Sequence, residues 1–300
     1  MSRLLSPCSS RSDGTPGVLD CVGYIGIVSM VGLLGMVAQA SLASCALGAE
    51  PASFPPPSSD YRGFAKHTFV AEGQHLLVVE PKEAAAGRPW IWRCEFFDHE
   101  PQGDLALLAL GWHVVHASDA AGHFGGPAGV AAWETCYRVL TTTYALSPKP
   151  LLEGFSRGGT LALTCAVAHP EHAGGLYLDA PMCDLRSIAH KERTPEQLVV
   201  WKTVLGNYNL TEESVLTYDQ GPLDHLQGLA TAHLPILLIA GDADQSVPYP
   251  TNGGQLVERY RALGGTVQLI LKPGGDHHPH SLKDPAPIVS WALAAFAATR

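Results

Sequence analysis

Three hundred residues are enough for one large domain or two small ones, and 46% apolar with only 16% charged residues allows a sizeable buried core. A net charge of −9, with no basic run, argues against nucleic-acid binding.

Residues 1–46 read as an export signal rather than as fold. A polar head with Arg3 and Arg11, and with Asp13 and Asp20 against the pattern, precedes an apolar stretch from Cys21 to Ala46. Ala38-Gln39-Ala40 offers a cleavage site of the A-x-A kind, and Leu42-Ala43-Ser44-Cys45 a lipobox ending at Cys45. The stretch is long enough to span a bilayer, so an uncleaved anchor is the competing reading. The expected location is periplasmic or secreted, with the N-terminus as the point of membrane attachment if the segment is retained. Residues 47–60, with Pro55-Pro-Pro-Ser-Ser-Asp60, read as a proline-rich linker.

A catalytic domain is expected over residues 61–300. His67–Val70 and His75–Val79 alternate as an antiparallel hairpin. Pro89–Phe97 reads as a strand, Asp104–Leu110 as a short helix, Trp112–Ala117 as a strand and Ala131–Tyr144 as a helix. The strand Leu151–Glu153 runs into Gly154-Phe-Ser156-Arg-Gly-Gly159, and the helix that follows ends at His169-Pro170. Gly175–Leu178, Leu234–Ala240 and Thr266–Leu271 read as strands, with helices at Gly254–Leu263 and Ile288–Ala298. Strands alternating with helices imply an α/β fold with a mostly parallel sheet. Residues 183–232 break the rhythm with helical patches at Thr194–Leu205 and Thr211–Asp219 and no strand, as a small helical cap over a site would.

The chemistry gathers at the ends of strands. A strand, a G-x-S-x-G turn and a helix form a nucleophile elbow, which presents Ser156 to a base in a fixed pose. The helix N-terminus favours negative charge there, and the N–H of Arg157, next in the chain, is the first oxyanion donor. Two acids, Asp242 and Asp244, follow the strand ending at Gly241; Asp244 lies past the turn, within reach of a histidine, whereas Asp242 suits a turn cap. Asp179 and Asp184 are outside candidates. His277 and His278 both follow the glycine pair Gly274-Gly275, and His277 is favoured by its place. His277, His278 and His280 have no carboxylate or cysteine at metal-ligand spacing, so neither metal nor cofactor is expected. His113 and His116 read as structural. Export would permit disulfides among Cys94, Cys136, Cys165 and Cys183, in any of several pairings.

On Gly154-Phe-Ser156-Arg-Gly-Gly159, Gly241-Asp-Ala-Asp244-Gln-Ser-Val-Pro248 and Gly274-Gly-Asp-His277, the chain resembles an α/β-hydrolase over roughly residues 61–300. The resemblance implies Ser156 as nucleophile, Asp244 as acid and His277 as base. The double glycine after the serine resembles the prolyl-oligopeptidase and dienelactone-hydrolase-like branches. Pro89-Trp-Ile-Trp-Arg93 and His277-His-Pro-His280 are similar to segments of bacterial esterases from polysaccharide degraders. The family's usual His-Gly after the third strand is replaced by Arg93-Cys94-Glu95-Phe96, which makes Arg93 the candidate second oxyanion donor. Trp92 is expected to offer an aromatic face to substrate, and Arg93 or Arg157 to hold a substrate carboxylate. Together these imply a serine hydrolase that cleaves short-acyl or methyl esters on carbohydrate or phenolic alcohols. A serine peptidase would normally add an N-terminal propeller, which residues 1–60 cannot supply, and a non-catalytic binding protein would normally have lost a triad member.

Overall fold

The computed structural model describes residues 51–299. The expected export signal at 1–46, with Cys45, lies outside them. One sheet carries the fold, in the order β1-β2-β3-β5-β4-β6-β7-β8-β9. Strands β1 (Ser58–Tyr61), β2 (Phe64–Ala71) and β3 (Gln74–Glu80) form an antiparallel run at one side, and β3 pairs antiparallel with β5 (His113–Ala117). From there β4 (Trp90–Arg93), β6 (Leu151–Phe155), β7 (Gly175–Asp179), β8 (Ile236–Gly241) and β9 (Val267–Lys272) run parallel. This is the α/β-hydrolase architecture expected from the sequence.

Side chains alternate between two cores, as the pleat of a doubly covered sheet dictates. Trp90, Trp92 and Leu152 face helices α3 (Pro127–Thr142), α4 (Gly158–Ala168), α7 (Gln227–Thr231) and α8 (Gly253–Ala262). Ile91, Val114 and Leu151 face α1 (Gln102–Ala109) and α9 (Ala286–Ala297). A short helix, α2 (Ser118–Ala121), follows β5.

Three expectations need correction. The fold takes in much of the supposed linker at 47–60: Phe54 is 5% exposed and stacks on Tyr144 at 4.5 Å, the carbonyl of Pro55 lies 3.1 Å from His67 Nδ1, and Ser58–Tyr61 is a strand. Its prolines hold an extended edge segment around an aromatic anchor instead of a free tether. The strand expected over Pro89–Phe97 stops at Arg93, because Phe96, Asp98 and Glu100 take left-handed φ of +54°, +67° and +49°. The patch Thr211–Asp219 forms only a turn of 3₁₀ helix at Ser214–Thr217. Thr211 and Ser214 there bond reciprocally through their hydroxyls and backbone N–H groups at 2.8 and 3.1 Å, which competes with helix formation.

The insertion after β7 carries α5 (Arg186–Ala189) and α6 (Pro195–Asn207). Helix α6 starts where the sequence allows it to: Thr194 and Gln197 make a capping box at 3.3 and 3.0 Å, and Pro195 occupies the first turn. Its Trp201, Val204 and Leu205 pack with Met182, Leu185 and Val247 in a third small core. Cys94, Cys136, Cys165 and Cys183 are buried free thiols. Among the described residues no helix is long and apolar enough to cross a membrane.

Candidate active site

The elbow between β6 and α4 is strained at one residue. Ser156 has φ +50°, a conformation costly for any residue but glycine. Main-chain bonds hold it there: Ser156 N–H donates to Asp179 O at 3.0 Å, and the Ser156 carbonyl accepts from Met182 N–H at 2.8 Å and Gly159 N–H at 2.9 Å. Glycine is required at 154 by close approach, since a Cβ there would lie 2.6 Å from the carbonyl oxygen of Gly158.

The acid and the histidine come from the loops after β8 and β9. These loops pack main chain on main chain, and a Cβ at Gly241 would lie 2.2 Å from Gly275 O. Asp244 is buried and keyed in place: its Oδ1 accepts the N–H groups of Ser246 and Val247, both at 2.7 Å. Its Oδ2 lies 2.7 Å from His277 Nδ1, and His277 Nε2 lies 3.0 Å from Ser156 Oγ. With Nδ1–H donating to the carboxylate, Nε2 is left to accept the serine proton.

The rejected alternatives have other partners. Asp242 accepts Gly274 N–H at 2.6 Å and closes a turn, and Asp184 pairs with Arg186 at 2.8 Å. His278 is exposed, its ring edge-on to His277 at 4.9 Å. Asp179 pairs with His280 Nδ1 at 2.9 Å. His113 Nδ1 lies 3.2 Å from Pro89 O, with its pKa lowered to about 4 by burial, and His116 Nδ1 lies 2.8 Å from Arg93 O.

Burial lowers the His277 pKa below the ordinary imidazole value, against the raising effect of Asp244; His280 and His278 add to the lowering. Imidazolium cannot accept the serine proton, so a lowered pKa keeps the base available at lower pH. For any acyl transfer from Ser156, kcat/KM is expected to rise with pH and reach half its plateau below pH 6.5, the unperturbed value. A pH–rate profile from about pH 4 to 8 checks this, and a midpoint above 6.5 contradicts it.

Two main-chain N–H groups beside Ser156 are unpaired. Neither Arg157 N–H nor Phe96 N–H has a hydrogen-bond acceptor among the described residues. Phe96 lines the same cavity as Ser156, on a loop pressed against the elbow: a Cβ at Gly158 would lie 2.9 Å from Glu95 Cβ.

Arg93, expected as second oxyanion donor or carboxylate binder, is neither. Its side chain is 0% exposed, bonded to Asp104 and Glu153 at 2.9 Å each and stacked 4.0 Å over the Phe155 ring. It also donates to the carbonyls of Glu95, Phe96 and His99, so it fastens the Phe96 loop from below. Trp92 is corrected too: it is 1% exposed and stacked on Trp133 at 5.5 Å in the core under α3, away from the cavity. Arg157 is held by Glu95 at 3.1 Å, with its guanidinium 4.8 Å from the Phe96 ring and 4.9 Å from that of Phe124.

The cavity over Ser156 has a volume of about 420 Å³ and is lined by Phe96, Phe97, His99, His277, His278 and His280. A smaller one, about 140 Å³, lies between Arg157 and the α6 residues Trp201 and Val204. Sequence reasoning missed Phe96, Phe97 and His99. The aromatic pair was absorbed into a strand, and a main-chain donor carries no mark of residue type.

Residues 135–299, which include Ser156, Asp244 and His277, match the model of the prolyl oligopeptidase family. No curated protein sequence gives a match. Among solved structures, Est1E from Butyrivibrio proteoclasticus is similar at TM-score 0.56 and 16% identity, over 77% of this chain and 99% of its own. A truncated carbohydrate esterase from gut microbiota gives 0.56 and 18%, over 74% and 90%. A puromycin hydrolase gives 0.61 and 15%, over 78% of this chain but only 39% of that enzyme. At these identities the likeness is one of fold.

Proposed function

The chain belongs to the prolyl oligopeptidase family of serine hydrolases, and on that footing we propose that it cleaves carboxylic esters through a Ser156–His277–Asp244 triad. The observation that carries the proposal is the unbroken line from Asp244 Oδ2 through His277 to Ser156 Oγ, at 2.7 and 3.0 Å. Ser156 Oγ attacks the ester carbonyl as His277 Nε2 takes its proton. The oxyanion accepts from Arg157 N–H and Phe96 N–H. His277 then returns the proton to the departing alcohol, leaving an acyl-enzyme that water hydrolyses by the same route. Asp244 holds the tautomer and stabilises the imidazolium.

For substrate, we propose a short-acyl or methyl ester on a carbohydrate or phenolic alcohol. The small side cavity of about 140 Å³ leaves little room for a long acyl chain, and Phe96 and Phe97 give the main cavity an aromatic wall suited to a sugar or phenol ring. Two solved structures that this chain covers almost end to end, at 99% and 90%, carry esterase names, whereas it covers only 39% of the puromycin hydrolase. Export, proposed from residues 1–46 alone, would place the enzyme where polysaccharide esters occur.

The test is a panel of p-nitrophenyl acetate, p-nitrophenyl octanoate and proline-containing peptide anilides, run on the full chain. Acetate is expected to exceed octanoate by at least about tenfold in kcat/KM, a modest discrimination for a pocket of limited size. Cleavage of the anilides without ester turnover would make the protein a peptidase.

A further inference from the structure

A second carboxylate–imidazole pair stands beside the first. Asp179, fully buried at the end of β7, lies 2.9 Å from His280 Nδ1 and accepts Ser281 N–H at 2.9 Å. Asp244 engages His277 Nδ1 in the same way. Each imidazole therefore has one ring nitrogen committed to a carboxylate and leaves Nε2 as the other, and both rings line the same cavity. The exposed ring of His278 completes a triangle with them, its centroid 4.9 Å from His277 and 4.7 Å from His280, which are themselves 4.8 Å apart. Ligand nitrogens of all three lie within 4.8 Å of one another.

We propose that His277, His278 and His280 bind a divalent transition ion, Zn²⁺ above all, and that this ion reversibly shuts the active site. Neutral imidazole suits zinc and copper, whereas calcium and magnesium require oxygen ligands. Histidines that hold zinc characteristically pass their other nitrogen to a carboxylate, which fixes the ring and raises its basicity. Asp179 and Asp244 already stand in that position, each buried and bonded to further N–H groups. Three protein ligands leave a fourth place for water. Tetrahedral zinc brings its nitrogens to about 3.3 Å of one another. His278, exposed and without a hydrogen bond to either neighbour, is the ligand free to close that gap.

The consequence for catalysis is direct. A metal on His277 Nε2 occupies the lone pair that would take the Ser156 proton, so Ser156 can no longer be activated. Inhibition rests on the reading of Ser156 and His277 as nucleophile and base; metal binding does not.

The experiment uses the full chain without a histidine tag, stripped with EDTA, and titrates ZnCl₂ by calorimetry and CoCl₂ by visible absorption. Wild type and Ser156→Ala are both expected to bind zinc and to give the intense bands of four-coordinate Co²⁺. In wild type, ester turnover should fall over the same zinc range and return on adding EDTA. His278→Ala, compared with its own metal-free turnover, should need at least about tenfold more zinc for inhibition than wild type does. His169, Glu171 and His172 form a separate surface group, and His99 and Glu100 form another that shares His278, so His278→Ala together with Glu100→Gln, which should bind zinc as wild type does, identifies the site. No zinc binding, or equal binding by wild type and His278→Ala, overturns the site; binding without loss of turnover overturns the inhibition. If the chain hydrolyses no ester at all, calorimetry and the Co²⁺ spectrum still decide the site.

Discussion

Ser156→Ala is expected to lower kcat by roughly 10⁴- to 10⁶-fold on any ester the wild type turns over, with little change in the melting temperature. The size follows from the mechanism. Removing Oγ removes the nucleophile and the group His277 is aimed at, 3.0 Å away, while both oxyanion donors stay in place. The fold has no reason to respond, because the φ of +50° is imposed by main-chain bonds to Asp179, Met182 and Gly159, none of which uses the side chain. Turnover of p-nitrophenyl acetate, measured alongside a thermal melt, checks both halves. A variant that melts with wild type and keeps more than about a hundredth of its turnover would remove Ser156 from the mechanism.

The second large effect falls on a residue that touches no substrate. Arg93→Met should cost about 3–5 kcal/mol, because it strands carboxylates in a site that excludes water. Asp104 and Glu153 are only 2% and 1% exposed, and Arg93 is their shared cation. Burial, opposed by Arg93, pushes the Glu153 carboxyl well above the usual carboxylate range, the direction of a group that keeps its proton. Without Arg93 to oppose it, Glu153 in the folded state binds its proton more tightly still, so stability is lost as pH rises past the unfolded carboxylate pKa of about 4. The deficit should therefore be larger at pH 7 than at about pH 5. In a chain of this size it corresponds to a fall of roughly 6–20 °C in melting temperature. Turnover should fall as well, since Arg93 holds the carbonyls of Glu95, Phe96 and His99 and so sets the place of the Phe96 N–H. Thermal melts at both pH values, with kcat and KM measured separately, test this; a melt unchanged at pH 7 would refute it.

The meeting of Ser156, Asp244 and His277 was legible in the sequence because each is tied to turn chemistry. A nucleophile elbow needs glycine at 154, and the acid and histidine loops meet where Gly241 and Gly275 leave room. The order of strands and helices was legible for the same reason: buried parallel strands are short apolar runs between turn residues. What escaped was set by contact rather than pattern. Alternation puts Trp90 and Trp92 on one face of β4, but only the helix packed on that face shows it to be core. Phe54 sits among prolines and is read as an anchor only once Tyr144 lies against it. Asp179 and His280 are 101 residues apart, and nothing local links them. The Phe96 N–H belongs to the backbone, which every residue shares.

The serine and its histidine are 121 positions apart in sequence, and the two meet only across the completed run of β6, β7, β8 and β9. A chain emerges N-terminal part first, from the ribosome or through a membrane, so the nucleophile is made well before its base. Throughout that interval Ser156 is an ordinary alcohol. The half-made enzyme is harmless to whatever surrounds it, and the onset of hydrolysis marks the moment at which the sheet is complete as far as β9.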